Sequence, residues 1–199
     1  MNRLVRLVDR VSIWAAWVSG GLLFLTAVLI AVEVVLRKVF ALSLGGADEI
    51  SNYVLAVTSS WTFGYALVRK AHIRIDALYL RLRSSARVAL DVASLALFAF
   101  CSALITGYAF QVLHTSILRR SVANTPLATP LWIPQGLWFA GIAFLFAAVL
   151  VLLAATLGRL AAGDVAGAQR LAGATDVREE IEEAAAPAGA GAAKEGDAR

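Results

Sequence analysis

The chain has 199 residues and a net charge of +4, and 60% of its residues are hydrophobic while only 16% are charged. A soluble domain usually carries about 25% charged residues, so this composition excludes an ordinary soluble globular fold. The single cysteine excludes an intrachain disulfide framework and a cysteine-based metal site.

Four uncharged stretches predict four transmembrane helices. They cover 22 residues after Arg10, 19 after Glu49, 27 after Asp91 and 38 after Arg120. A spanning helix needs roughly 20 mostly apolar residues, so the first three stretches each fit one span, and the fourth fits one span with an entry loop. We therefore predict an all-α integral membrane protein with spans at about 12–36, 50–68, 88–113 and 136–157.

The first span follows three arginines and ends near Glu33 and Arg37. Residues four apart lie on the same face of a helix, so we expect these two side chains to pair. Such a pair lowers the cost of placing a carboxylate close to the bilayer.

The second span is the most polar of the four, and it begins after the acidic pair Asp48 and Glu49. Acidic residues suit the positive end of a helix, so this pair predicts either a helix cap or a contact with a partner at that end. A polar stripe follows on one helical face, and we expect it to face other helices because lipid offers no hydrogen-bond partners. The stripe consists of Ser51, Asn52, Thr58, Ser59 and Thr62.

The remaining segments complete the layout. The basic loop 69–87 carries apolar side chains between its arginines and predicts a short helix or loop segment along the membrane surface. In the third span Ala99, Ala103 and Gly107 repeat every fourth residue, a spacing that lets two helices approach closely. Prolines at 126, 130 and 134 prevent a continuous helix before the fourth span. The transmembrane domain is thus predicted at 1–160, and the Ala-, Gly- and Glu-rich tail 161–199 is predicted to be largely disordered.

Basic residues near the span ends predict the orientation. The amino terminus, the loop 69–87 and the segment after the fourth span carry 11 such residues, whereas the two opposite segments carry four. The positive-inside rule then places both termini and the basic loop in the cytoplasm, and it accounts for the basic loop without nucleic-acid binding.

No motif in the sequence predicts a catalytic, cofactor-binding or metal site. The chain has no Gly-rich phosphate loop, and its two histidines, His72 and His114, are predicted on opposite sides of the membrane. Ionisable residues near the middle of the bilayer usually mark the path of a transported solute. Glu33 lies within a predicted span but near its end, and Asp91 lies near the start of the third span. These features indicate a membrane protein that packs against another protein.

The stretch 33–78 carries a family resemblance. It reads EVVLRKVF, then SLGGADEISNY, then FGYALVRKAHIRIDAL. This pattern resembles the small membrane subunit of tripartite ATP-independent periplasmic transporters, and the resemblance extends over about residues 10–158. The matching positions are Arg37, Asp48, Glu49, Gly64, Arg69, His72, Ile73, Ile75 and Asp76.

The resemblance implies a supporting role in a bacterial inner membrane. A large membrane subunit is then expected to carry the substrate and the coupling ion, usually Na⁺, and a periplasmic binding protein is expected to deliver an organic acid. The small subunit is expected to pack against the large one and to need no cofactor of its own. The alternative, from the sequence, is a membrane-anchor subunit of a respiratory or redox complex.

The candidate residues for structural or partner contacts combine the polar positions with the family pattern. His72, Arg74 and Asp76 predict either a polar latch at the mouth of the second span or a solvated loop facing lipid headgroups. The full set is Arg37, Asp48, Glu49, Asn52, Ser59, Gly64, Arg69, His72, Arg74 and Asp76.

Overall fold

The structure is a computed structural model, and it describes residues 3–69 and 84–172. Within these ranges the chain is helical apart from its connecting loops. The helices are α1 (Arg3–Phe40), α2 (Ala47–Val68), α3 (Ser84–Leu118), α4 (Trp132–Ala161) and α5 (Val165–Ala172).

Three of these helices are long and apolar enough to cross a membrane: Arg3–Phe40, Ala86–Leu118 and Trp132–Ala161. They agree with three of the four predicted spans. Helix α2 has 22 residues, which at ~1.5 Å per residue is long enough for the ~30 Å hydrocarbon core. Its polar side chains lower its hydropathy, so the predicted second span, 50–68, remains a prediction.

The four long helices pack in the order α1, α2, α4, α3. Helix α1 packs mainly on α2, α2 packs on α4, and α4 packs on α3. Two antiparallel helix pairs are therefore joined through the contact of α2 with α4. The buried apolar cluster lies at this junction and comprises Leu67, Ala99, Leu145, Ala148, Val149 and Leu152.

Polar side chains line the buried seam of α1 at a period of seven residues. Ser12, Ser19, Thr26 and Glu33 are all buried, one heptad apart. The hydroxyl of Ser12 donates to the carbonyl oxygen of Asp9 at 2.8 Å, and that of Thr26 donates to Leu22 at 2.8 Å. A strict seven-residue repeat is the pattern of helices that coil around each other with a left-handed twist. Small hydroxyl side chains let α1 approach α2 closely, and those of Ser12 and Thr26 bond within the helix.

Glycine allows α2 and α4 to approach even more closely. A Cβ atom added to Gly141 would lie 2.9 Å from the backbone carbonyl carbon of Ser60. One turn further along α2, Gly64 is covered by the ring of Phe144, whose Cδ1 atom would lie 2.9 Å from an added Cβ. The same ring stacks on Trp61 with centroids 5.9 Å apart, and the Trp61 indole donates to the Leu137 carbonyl oxygen at 3.1 Å.

A short helix follows α4 within the segment predicted to be a disordered tail. Asp164 caps α5, because its side chain accepts a hydrogen bond from the Gly167 amide at 2.8 Å. Ala168 is buried where α5 packs against α4 and α3. Residues 165–172 of the predicted tail are thus helical in the structure, and residues 173–199 lie outside the described part.

We predict that Gly141→Ala destabilises the bundle by about 1–3 kcal/mol, because the new methyl group meets the backbone of α2 and forces the helices apart. Gly158→Ala is the matched control on the same helix, since nothing lies within 4 Å of its added Cβ. Thermal unfolding in mild detergent measures both variants. Equal midpoints for the two variants would show that α2 and α4 are not in close contact at Gly141.

Candidate functional site

Two of the described loops, 41–46 and 119–131, lie at one end of the bundle, here called the loop end. Glu33, only 4% exposed, organises the first of these loops from the end of α1. One carboxylate oxygen accepts hydrogen bonds from the Arg37 guanidinium and the Ser43 hydroxyl, each at 2.7 Å. The other accepts from the Leu44 amide at 2.8 Å. The predicted pair of Glu33 with Arg37 is confirmed.

Glu49, in the first turn of α2, holds the second loop in place. It is buried, and its carboxylate accepts hydrogen bonds from the Tyr53 hydroxyl at 2.8 Å and from the Thr125 hydroxyl. The Thr125 bond lowers the pKa of Glu49 below its usual range. The two predicted roles for the acidic pair were capping and partner contact. In the structure α2 begins after Gly46 without a side-chain capping hydrogen bond, and Glu49 instead ties α2 to the loop before α4.

The two loops also touch each other. Leu127 covers Gly46 so closely that a Cβ there would lie 2.8 Å from the Leu127 Cγ atom. The second loop folds back on itself through an antiparallel bridge between Val122 and Pro130. Two buried carboxylates thus fix two irregular loops into one surface at the loop end.

A shallow groove of about 250 Å³ opens on this surface between α1 and α2. Arg37 and Lys38 line it from α1, and Asp48 lines it from α2. Arg37 remains 61% exposed although it pairs with Glu33. The groove therefore carries charges of both signs, and two of its lining residues, Arg37 and Asp48, belong to the set that the sequence predicted for structural or partner contacts.

The structure divides the predicted polar stripe of α2 between two faces. Thr58 is buried inside the bundle, where its hydroxyl donates to the Val54 carbonyl oxygen at 2.7 Å. Asn52 is exposed, and Ser59 is partly exposed on the same side of the helix. Together they belong to what we call the exposed α2 face, which comprises Asn52, Leu55, Ala56, Ser59 and Phe63.

The other predicted positions lie in different parts of the structure. Gly64 is buried at the contact with α4, and Arg69 is exposed at the end of α2. The ridge of the third span is divided, because Ala99 lies in the core whereas Gly107 is exposed. His72, Arg74 and Asp76 lie outside the described residues, as does most of the basic loop.

Several important residues were missed by reasoning from the sequence. The buried heptad of α1 could have been found, because polar residues at 12, 19, 26 and 33 repeat every seven positions in an apolar helix. Ser60, Gly141 and Thr125 carry no such signal. Their roles depend on which residues of distant segments meet them.

The chemistry available at this site is that of recognition. In the described ranges, no group of three or more His, Cys, Asp and Glu side chains could hold a metal ion. Glu33 and Glu49 both bind the loops, and Arg37, Lys38 and Asp48 remain exposed at the surface of the groove.

Comparison with known proteins gives one family. The model of the DctQ component of tripartite ATP-independent periplasmic transporters matches residues 26–162, which is more than half of the chain. The matched region begins within α1 and ends just after α4, so it includes both loops and excludes α5. Comparisons with curated proteins and with solved structures gave no significant match.

We predict that Glu33→Ala loosens the loop 41–46 more than Arg37→Gln does. The first variant removes the acceptor of three hydrogen bonds, two of them from the loop, whereas the second removes only an exposed cation from the pair. Limited proteolysis between Phe40 and Ala47 and thermal unfolding in detergent measure the difference. Equal cleavage of the two variants would show that the ion pair, and not the bonds to Ser43 and Leu44, orders the loop.

Proposed function

The chain belongs to the DctQ family of components of tripartite ATP-independent periplasmic transporters, and from this premise we propose that it is the non-catalytic small membrane subunit of such a transporter. In this proposal it packs against the large ion-coupled subunit and stabilises it. The complex takes up an organic acid that a periplasmic binding protein delivers. The alternative from the sequence, a membrane-anchor subunit of a redox complex, belongs to a different class of protein from the matched transporter family.

The proposed setting is the bacterial inner membrane, with α2 as a fourth span and both termini in the cytoplasm. The support is the excess of basic residues at the amino terminus, after α2 and after α4, compared with four on the other side. In this orientation the loop end faces the periplasm, where a binding protein would approach the complex.

The distribution of charge supports a role without transport of its own. A transported acid or ion needs polar or ionisable groups at mid-depth. Residues 11–32, 50–68, 92–118 and 121–158 contain no charged side chain. The two buried carboxylates at the ends of α1 and α2 bind the loops. The chain therefore depends on a partner to bind the solute.

The proposed contact with the large subunit is inferred from the exposed α2 face. Helix α2 is enclosed on two sides by α1 and α4, yet this third side remains open and carries an amide, a hydroxyl and a small side chain. Hydrocarbon cannot form hydrogen bonds with Asn52 or Ser59, whereas a neighbouring helix can. Ala56 between them leaves room for that helix to approach.

We predict that vesicles containing this chain alone show no uptake of any organic acid. Uptake should appear only when the large subunit and the binding protein are also present, because the chain lacks charged groups at mid-depth to bind the solute. Radiolabelled dicarboxylates, keto acids and sialic acid serve as the test substrates under an imposed Na⁺ gradient. Uptake by the purified chain alone would remove the supporting role.

We also predict that Ala56→Trp lowers the amount of large subunit that co-purifies with the tagged chain by several-fold, because a bulky ring blocks the approach of a helix. Ala96→Trp is the matched control, since Ala96 is an equally exposed small residue on α3. Both variants are measured by pull-down in mild detergent after co-expression. If Ala96→Trp reduces the yield and Ala56→Trp does not, the large subunit binds elsewhere.

A further inference from the structure

A second groove lies between α1 and α2 at the end opposite the loops, here called the arginine end because Arg3, Arg6, Arg10 and Arg69 lie there. Its volume is about 660 Å³, within the roughly 300–1,000 Å³ of pockets that hold a small ligand. The floor is apolar and aromatic, and one arginine lies at its rim. The lining includes Ile13, Trp17, Gly20, Phe24, Tyr65 and Arg69.

Glycines create the space in this groove. An added Cβ on Gly20 or Gly21 would meet nothing within 4 Å, so the surface of α1 is hollow at these two positions. Large apolar side chains flank the hollow: Trp17 is 79% exposed and Phe24 is 69% exposed. The result is a long apolar furrow that is open to the surroundings and that no side chain of the described residues fills.

Arginines continue the same face of α1 beyond the groove. The positions 3, 6, 10, 13, 17, 20 and 24 follow one another in steps of three and four, which keeps them on one side of a helix. Arg3, Arg6 and Arg10 occupy the first three of these positions, and all three are exposed. The only carboxylate among the first 32 residues is Asp9. One face of α1 therefore changes from cationic to apolar within about two turns.

A fourth arginine approaches this face from α2. The Arg69 guanidinium lies over the ring of Tyr65, 5.6 Å from its centroid, and both side chains line the groove. This ring contact holds the cation at the rim, where the helix ends and the apolar floor begins. The groove thus combines a hydrocarbon-lined floor with positive charge at one end only.

We propose that this groove binds one anionic phospholipid, with an acyl chain over Gly20 and Gly21 and the phosphate against Arg69 and the arginines of α1. The occupant follows from charge complementarity: the amphipathic order of the groove, cationic and then apolar, matches a negative headgroup followed by its chain. A transmembrane helix of a partner would complement the apolar floor but would leave the arginine cluster without a counter-charge. The inference does not depend on the proposed transport function.

The test uses the full chain in phosphatidylcholine vesicles with lipids brominated on their acyl chains, which quench nearby tryptophans. The chain has five tryptophans, so the contribution of Trp17 is the difference between the wild type and Trp17→Phe. We expect brominated phosphatidylglycerol to quench Trp17 at a lower mole fraction than brominated phosphatidylcholine. Arg69→Gln should reduce this preference about fivefold, which corresponds to ~1 kcal/mol for one arginine at an anionic surface.

Matched controls separate the groove from general contact with lipid. Trp14 is 72% exposed but does not line the groove. Its fluorescence, obtained as the difference between the wild type and Trp14→Phe, should therefore show no preference between the two lipids that Arg69→Gln changes. Arg120→Gln alters an exposed arginine at the loop end and should leave the preference of Trp17 unchanged. Gly20→Leu places its Cβ where nothing lies within 4 Å, and the larger side chain should reduce quenching by both lipids while the protein unfolds at an unchanged temperature.

Two outcomes would overturn the proposal. The first is equal quenching of Trp17 by the two lipids, or a preference that survives Arg69→Gln together with Arg6→Gln. The second is loss of the preference when the large subunit is reconstituted with the chain, because a protein helix would then occupy the groove. Neither result alters the uptake test, so failure of this proposal is distinguishable from failure of the proposed function.

Discussion

The contact between α2 and α4 is the constraint on which the rest of the bundle depends. It joins two helix pairs, α1 with α2 and α3 with α4, that otherwise make few contacts with each other. Inside a membrane the hydrophobic effect does not drive helices together, so their association depends on close packing and hydrogen bonds. Gly141 and Gly64 supply the close packing, and the indole of Trp61 bonds to the backbone of α4. Larger residues at either glycine would separate the pairs.

The order of the helices explains why so much apolar surface stays open. A row of four helices has two long faces and two edges, and α1 forms one edge, so only its heptad seam is buried. Its exposed residues require lipid or protein around them. In this seam Ser12 and Thr26 bond within α1 and Glu33 bonds to Arg37 and the adjoining loop, so α1 is held against α2 mainly by close packing. This fit leaves the opposite side of the helix available for a lipid or another chain.

The sequence predicted the helical class, three spans that the structure supports and the pairing of Glu33 with Arg37, because those features depend on composition and local spacing. It could not predict that Glu49 reaches Thr125, since the two are 76 residues apart and only the folded loops bring them together. The polar stripe of α2 shows the intermediate case. Periodicity grouped Asn52 with Thr58, but the position of α4 decides that one is buried and the other exposed.

The carboxylates of Glu33 and Glu49 at the loop end lie in a different environment from the guanidinium groups of α1 at the arginine end. At the loop end the carboxylates of Glu33 and Glu49 are buried acceptors that fix irregular backbone, and such backbone needs donors and acceptors to be satisfied wherever water is scarce. At the arginine end the guanidinium groups stay exposed, and no comparable network consumes them in the described part of α1. Buried carboxylates set the shape of one surface, whereas exposed arginines leave the other surface free to bind anionic lipid. The proposed lipid site therefore lies at the end of the bundle opposite the surface that Glu33 and Glu49 shape.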